Sequence, residues 1–405
     1  MTPGSPIPSF AQPDSSSKNT NKLVLKGIKL SNFRNHALVE VGDLGMLNIL
    51  IGPNASGKTS IIEAIQLMTA CSSFRTSQLA DVVKHGAQNS SVDAFIEGDG
   101  RNLHTHMLIE NGRRSYHIND QPRRLNEIKG TLPAVVFCPD DLELVKGSNS
   151  ARLATIDGVA SQLSTSFRSV KSDYTQLVKQ KNQALKDEAD DALLDSIDTV
   201  LVKVSAQLTN HRQYVVATLA SALQNRYQDL AGDKETAQLF YQYSWEEPRQ
   251  DFSEEQTTLS KTDITHILSE KIAQCREDER AHKRALYGAH ADKITFTLES
   301  KNATKFASQG QQRSLVLAFK LAELDTFNIL GEQQPVLLLD DVMSELDQTR
   351  RQRFMDIVDE KVQTFVTTTN EEYFTADLLN KARVIRLPFQ DETHQEAEGA
   401  TTWAS

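Results

Sequence analysis

Hydrophobic and polar positions mark out three short strands near the start of the chain: LVLKGIKL from Leu23, ALVEV from Ala37 and MLNILI from Met46, separated by polar turns. The third runs straight into Gly52-Pro53-Asn54-Ala55-Ser56-Gly57-Lys58-Thr59, after which Ile61, Ile62, Ile65, Leu67 and Met68 recur at helical spacing. The predicted order is strand, glycine loop, helix. Strand-like alternation returns from Val92 to Asn119, with Asn111-Gly112 as a two-residue hairpin turn. From 151 to 230 there is no proline and a single glycine, and Leu194, Ile197, Val200, Leu201 and Val204 fall on one helical face. LFYQYSW from Leu239 and KITFTLES from Lys293 read as strands flanking a helical stretch from Asp263 to Leu286. Pro335 to Leu387 alternates strand, helix, strand, which suits the second half of a parallel sheet.

Composition narrows the function classes. The 405 residues point to two domains rather than one. With 54 acidic against 44 basic side chains the net charge is −10, so a nucleic-acid site has to be a local patch. No apolar stretch approaches the roughly 18 residues of a membrane span, and no membrane partner is expected. Cys71, Cys138 and Cys275 lack CxxC spacing and are expected to be reduced thiols of a cytoplasmic protein. The expected organisation is a disordered tail (1–21), a half-head with a β-rich subdomain (22–150), a mainly helical lobe (151–290), a second half-head (291–388) and an acidic tail (389–405).

The loop fits G-x-x-x-x-G-K-[ST] in full, between a strand and a helix. Its glycines let successive N–H groups turn toward phosphate oxygens at a helix N-terminus. Lys58 is expected to reach the β- and γ-phosphates and Thr59 to ligate Mg²⁺, with Ser60 following in the ATP site. Val336-Leu337-Leu338-Leu339 is a buried-strand run ending in Asp340 and Asp341, which puts two acids at the carboxyl edge of a parallel sheet. Asp340 is the Mg²⁺-side acid; Asp341 either polarises the attacking water or is a loop or helix-capping carboxylate.

Thr59 and Asp340 stand 281 positions apart, so something large is inserted into the nucleotide fold. Ser308-Gln309-Gly310-Gln311-Gln312 opens the amphipathic LVLAFKLAELDTF. It is either an ordinary polar N-cap or a signature that clasps the γ-phosphate held by a second chain, in which case ATP joins two protomers head to tail. Ser344-Glu345-Leu346-Asp347 has the spacing of a loop crossing such an interface, and Asp347 serves equally as a helix N-terminal acid. Thr367-Thr368-Thr369 stands where many such ATPases carry a sensing histidine.

NFRNH (Asn32 to His36), GPNASGKTSIIEAI, FCPDDLELVKGS (Phe137 to Ser148), SQGQQRSLVLAFKLAE and LLLDDVMSELD together resemble the RecF family of DNA-repair proteins. The resemblance implies an α/β, ABC-type P-loop ATPase head split by an inserted, mainly helical second lobe. It implies an ATP-driven homodimer that hydrolyses ATP slowly, binds double-stranded DNA at gaps, and helps the mediators RecO and RecR load the RecA recombinase, with roles in replication restart and the damage response. Asn54, Gly57, Lys58, Thr59, Ser308, Gly310, Gln311, Asp340, Asp341 and Asp347 occupy the family's motif positions. Two departures stand out: only Arg152 remains of an arginine run after VKGS, and Gly288-Ala289-His290-Ala291 replaces a Gly-Pro-His-Arg segment.

DNA contacts are sought in the local charge. Arg101 to Gly130 holds six basic residues against three acids. The pairs Arg113-Arg114 and Arg123-Arg124 either sit on phosphates or form a solvated hairpin tip. Lys171, Lys179, Lys181 and Lys186 form a second candidate on a helix. His104 and His106 share a strand face, but a third metal ligand is not evident and a solvent-facing pair is expected. The competing reading is the nucleotide subunit of another ABC-type machine, a transporter or chromosome-structure ATPase, without gap-specific DNA binding. A GTPase lacks its guanine-reading NKxD, since Asn380-Lys381-Ala382 ends in Arg383.

Overall fold

The computed structural model describes residues 23–388 except 77, 233–234, 250, 255 and 358–361, so both expected tails lie outside the described residues. Along the chain, β1 (Val24–Phe33) and β2 (His36–Val41) form a hairpin and β3 (Leu47–Ile51) follows. Next come β4 (Asn89–Gly98), β5 (Arg101–Glu110), β6 (Arg113–Ile118), β7 (Gln121–Arg123) and β8 (Ala134–Phe137). Past the helices lie β9 (Ala237–Gln242), β10 (Lys293–Leu298), β11 (Lys301–Asn302), β12 (Val336–Leu339), β13 (Thr364–Thr368) and β14 (Arg383–Arg386).

These strands make an antiparallel sheet in the order β2-β1-β4-β5-β6-β7, a parallel sheet β14-β3-β13-β12-β8 and a small sheet β11-β10-β9. The β5–β6 turn is the anticipated one, with Asn111 and Gly112 at φ 50° and 70° and Glu110 paired with Arg113. In the parallel sheet each strand is apolar on both faces. Ile49, Val135 and Leu337 pack on the lobe side, while Leu50, Val136 and Leu338 pack toward the loop helix and the antiparallel sheet. That two-sided burial explains why β12 reads as an unbroken apolar run.

The helical region consists of Asn149–Leu163, Thr165–Lys186 and the 41-residue Asp191–Ala231, about 60 Å long at 1.5 Å per residue. Ser148, Ser164 and Asp190 cap them by accepting the N–H groups of Ala151, Phe167 and Leu193. The long helix packs on Thr165–Lys186 and on the signature helix Gln309–Leu330, and Arg226 clamps Asp325 of the latter through two bonds of 2.6 and 2.7 Å. Helix in the stretch 263–286 breaks at Cys275 and ends at His282, short of Leu286. The reason is local: Lys283 turns left-handed, and the N–H groups of Ala285 and Leu286 donate to Asn182 and Glu279 instead.

The two departures from the family pattern are structural. Arg152 donates to the carbonyls of Gly147 and Ile294, tying its helix to β10. His290 is held between the Tyr174 hydroxyl at 2.7 Å and the Ala285 carbonyl at 3.2 Å. Burial first, and then nearby cations, push His290 below the ordinary imidazole range; burial and Lys261 do the same to His211. Both rings are therefore neutral in the fold while the unfolded chain takes up protons near pH 6.5. The lobe is expected to lose stability as pH falls from 7 toward 5, and His290→Gln is expected to flatten that slope in denaturant melts at several pH values.

Candidate functional site

At the end of β3 the chain folds around the loop Gly52–Thr59. Ala55 and Gly57 take φ of 65° and 97°, and at Gly57 an added Cβ would strike the ring of His36. A side chain is excluded there by both backbone and neighbour. The helix Lys58–Thr69 starts without a side-chain cap; the Ser60 and Ile61 N–H groups turn to the Gly57 carbonyl, which leaves those of Lys58 and Thr59 for a ligand. Lys58 Nζ donates to the Gly52 and Pro53 carbonyls at 2.7 and 2.8 Å, and burial lowers its pKa against the pull of Asp341 and Asp340. Ser56 Oγ is buried and finds no hydrogen-bond partner among the described residues. A phosphate chain supplies acceptors for every one of these donors.

The acids arrive on β12, two strands from β3 with β13 between. Asp340 Oδ1 accepts from Thr59 Oγ1 at 2.9 Å and from Thr367 Oγ1 at 2.8 Å. Burial holds the Asp340 carboxyl above its usual range while those two hydroxyls pull it back. Asp341 follows at φ 53° with its N–H fixed on Thr367 Oγ1 at 2.9 Å, and it lines a cavity of about 620 Å³ with Thr367 and the loop from Asn54 to Ser60. Two hard oxygen donors 2.9 Å apart are what Mg²⁺ takes, so Thr59 and Asp340 fit that ion. Thr367, the first of the three threonines where a sensing histidine is common, thus orients both acids.

Several residues of the cavity wall were not singled out from sequence: Arg34, Asn35, Arg75, Val83 and His85. Arg34 clamps Glu63, wholly buried on the loop helix, through bonds of 2.8 and 2.5 Å. It also donates to the Asp81 carbonyl at 2.5 Å, while Ser73 and Arg75 reach the same carboxylate at 2.5 and 3.4 Å. NFRNH contained the signal, a polar cluster in the β1–β2 turn with Asn32 and Arg34 at positive φ, but only the packed sheet brings it to the loop. Arg34→Ala is expected to cost on the order of 3 kcal/mol by leaving Glu63 under-paired, and Arg34→Ala with Glu63→Gln to recover most of it in thermal unfolding.

The remaining sequence candidates lie elsewhere. Ser308 and Gln311 close a reciprocal capping box, Gln311 also reaches Glu235 at 2.6 Å, and Gly310 packs near the Arg350 guanidinium. Asp347 caps the helix Gln348–Ile357 by accepting the Arg350 N–H at 2.9 Å. None of these four lines the loop cavity of its own chain. Arg113 is exposed, Arg114 turns in to the Cys71 carbonyl at 2.9 Å, Arg123 pairs with Glu127 at 3.4 Å, and the Arg124 backbone N–H donates to the same Glu127. Of the helix lysines, Lys181 is wholly buried between Asp198 and Glu279 and so cannot reach DNA. His104 and His106 both bond Asp93 Oδ1 at 2.8 Å.

The pattern of the RecF/RecN/SMC N terminal domain matches residues 24–394. A DNA replication and repair protein RecF of Geobacillus kaustophilus is 34% identical over 372 residues, 90% of this chain and 98% of its own length. The chain belongs to the RecF family. A second RecF, from Staphylococcus epidermidis, is 31% identical over 369 residues with 90% and 98% covered. Among solved structures, the recombination mediator protein RecF with ATP in the RecFOR pathway aligns with a TM-score of 0.78 at 24% identity, covering 87% of this chain and 94% of that one. An Smc head bound to the C-winged helix domain of ScpA aligns at 0.52 and 15% identity, covering 91% and 94%. This RecF family member therefore has the ABC-type ATPase head fold shared with SMC proteins. No described helix is long and apolar enough to cross a membrane.

Proposed function

We propose that this chain is an ATP-switched DNA clamp: ATP and Mg²⁺ bind at the loop, two chains close on the nucleotide, and the closed pair holds double-stranded DNA at gaps. The observation that carries it is the separation of parts. The loop, Thr59 and Asp341 line one cavity, with Asp340 bonded to Thr59 beside it, whereas Ser308, Gly310, Gln311 and Asp347 stay outside it with the signature at a capped helix N-terminus. A second copy facing the first head to tail brings that N-terminus to the γ-phosphate.

Within the site, Lys58 exchanges its two carbonyl acceptors for the β- and γ-phosphates, Ser56 gains its missing partner, and Thr59 with Asp340 holds Mg²⁺, which neutralises phosphate charge when bound. Asp341, aligned through Thr367, accepts the proton of the attacking water. Hydrolysis is slow, is quickened by DNA, and opens the pair. The relatives' names point the same way, to replication and repair and to a recombination mediator of the RecFOR pathway; on this reading the chain works in the cytoplasm with RecO and RecR in loading RecA.

A transporter subunit has no use for DNA, and a chromosome-structure ATPase has no preference for a gap. A shift assay with gapped and blunt duplex, with and without ATP, separates the readings. The clamp predicts ATP-dependent retention, stronger on the gapped duplex and weakening steeply with salt; equal, ATP-independent or absent retention contradicts it.

A further inference from the structure

One cationic cluster is left unused by the ATP site and lies where the β6 edge of the head meets the helix Thr165–Lys186. Arg114 on β6 donates to the Cys71 carbonyl at 2.9 Å, its guanidinium 5.8 Å from the centre of the Tyr116 ring. Arg168 reaches across from the helix to the Asn126 carbonyl at 2.7 Å, and one of its terminal nitrogens would stand 3.7 Å from a Cβ on Gly130. Lys129 sits beside that glycine, half-buried, and Lys171 lies one turn further along the helix.

The charge around these four is unbalanced. Among the described residues no carboxylate pairs with Arg114, Lys129 or Arg168, and only Lys171 has one, Asp157 at 3.0 Å. Arg123, by contrast, already has Glu127. The Arg168 guanidinium is held only by neutral acceptors, the carbonyls of Ser161 and Asn126 and the Thr165 hydroxyl, and its Nε is buried without a hydrogen-bond partner. Cys71, at the centre, is pushed by burial to about 11 and brings no negative charge. Burial, and then repulsion from Lys171, Arg168 and Arg114, holds the Lys129 ammonium below its ordinary range. Cations that repel one another and leave donors unused are arranged for an anion.

We propose that this seam binds phosphodiester groups, with Lys129 and Arg168 as the central contacts, Arg114 and Lys171 flanking, and the backbone of duplex DNA as the source. The inference rests on the DNA-clamp reading and deepens it, moving the contact from the hairpin tip to the junction of head and lobe. Contacts of this kind position a duplex without reading its sequence.

The test uses the full chain loaded with a non-hydrolysable ATP analogue, so that the loop is occupied. Duplex affinity is measured across a salt series for the parent, Lys129→Gln and Lys129→Arg, and lysine acylation is mapped with duplex or with inorganic phosphate. Lys129→Gln is expected to weaken binding equally on unrelated sequences and to reduce the salt slope by about one. Lys129→Arg restores both, and duplex protects Lys129 but not the exposed Lys293. A parent that binds duplex with Lys129 unprotected and an unchanged slope in Lys129→Gln overturns the site and leaves the clamp standing. A parent that binds no duplex refutes the clamp; phosphate protection of Lys129 then assigns the seam to free phosphate, and no protection overturns it altogether.

Discussion

Asp341→Asn is expected to lower ATP turnover by about two to four orders of magnitude, the range for loss of a general base, while ATP affinity stays within a few-fold of the parent. The amide keeps the shape of the side chain and tolerates the left-handed backbone at φ 53°. The hydrogen bonds of Lys58 and Thr59 do not involve the Asp341 side chain. What is removed is the capacity to take a proton from water, together with the negative charge that acts on Lys58. The variant should accumulate as an ATP-bound dimer, so phosphate release and dimer lifetime are measured together. Unchanged turnover would return Asp341 to the role of a loop carboxylate and leave the chemistry without its base.

Lys181→Met is expected to destabilise the lobe by about 3–5 kcal/mol, because it leaves buried carboxylates without their counter-charge. Lys181 Nζ lies 2.7 Å from Asp198 and 2.5 Å from Glu279, and the lysine and Glu279 side chains are wholly buried. Arg276 also binds Asp198 at 2.9 Å, so the Glu279 end bears most of the loss. Lys181→Met with Glu279→Gln is accordingly expected to regain the larger part. Denaturant midpoints read from Trp245, stacked on Tyr243 at 4.9 Å, report this lobe. A midpoint unmoved by the single substitution would mean that water reaches the triad.

Much of the nucleotide half was legible before the fold was seen. GPNASGKT sits between an apolar strand and an amphipathic helix, and a buried run ending in two acids has few other uses. What escaped depends on tertiary packing. Arg34 and Arg75 reach the loop only because β1, β4 and their turns cover its helix, and no local period encodes that approach. Thr367-Thr368-Thr369 stood in the place of a sensing histidine, whereas the Thr367 hydroxyl fixes the Asp340 carboxylate and the Asp341 N–H.

Charge was the least readable property. Lys181 falls on a helix among other lysines and reads as a candidate DNA contact, yet two carboxylates from distant segments enclose it. Lys129 and Arg168 are 39 positions apart in sequence and unremarkable in it; their meeting at Gly130 is a property of how lobe and head join.

In the proposed clamp, ATP held by one chain is completed by the signature of another. Sedimentation of the parent and of Ser308→Arg, each with and without a non-hydrolysable ATP analogue, tests it most directly. The substitution puts bulk and charge at the capped N-terminus of Gln309–Leu330 and touches nothing in the chain's own loop cavity. The prediction is that both chains bind the analogue, that the parent shifts from monomer to dimer, and that Ser308→Arg stays a monomer. A parent that remains monomeric when saturated with analogue, or a Ser308→Arg chain that dimerises as the parent does, would contradict it.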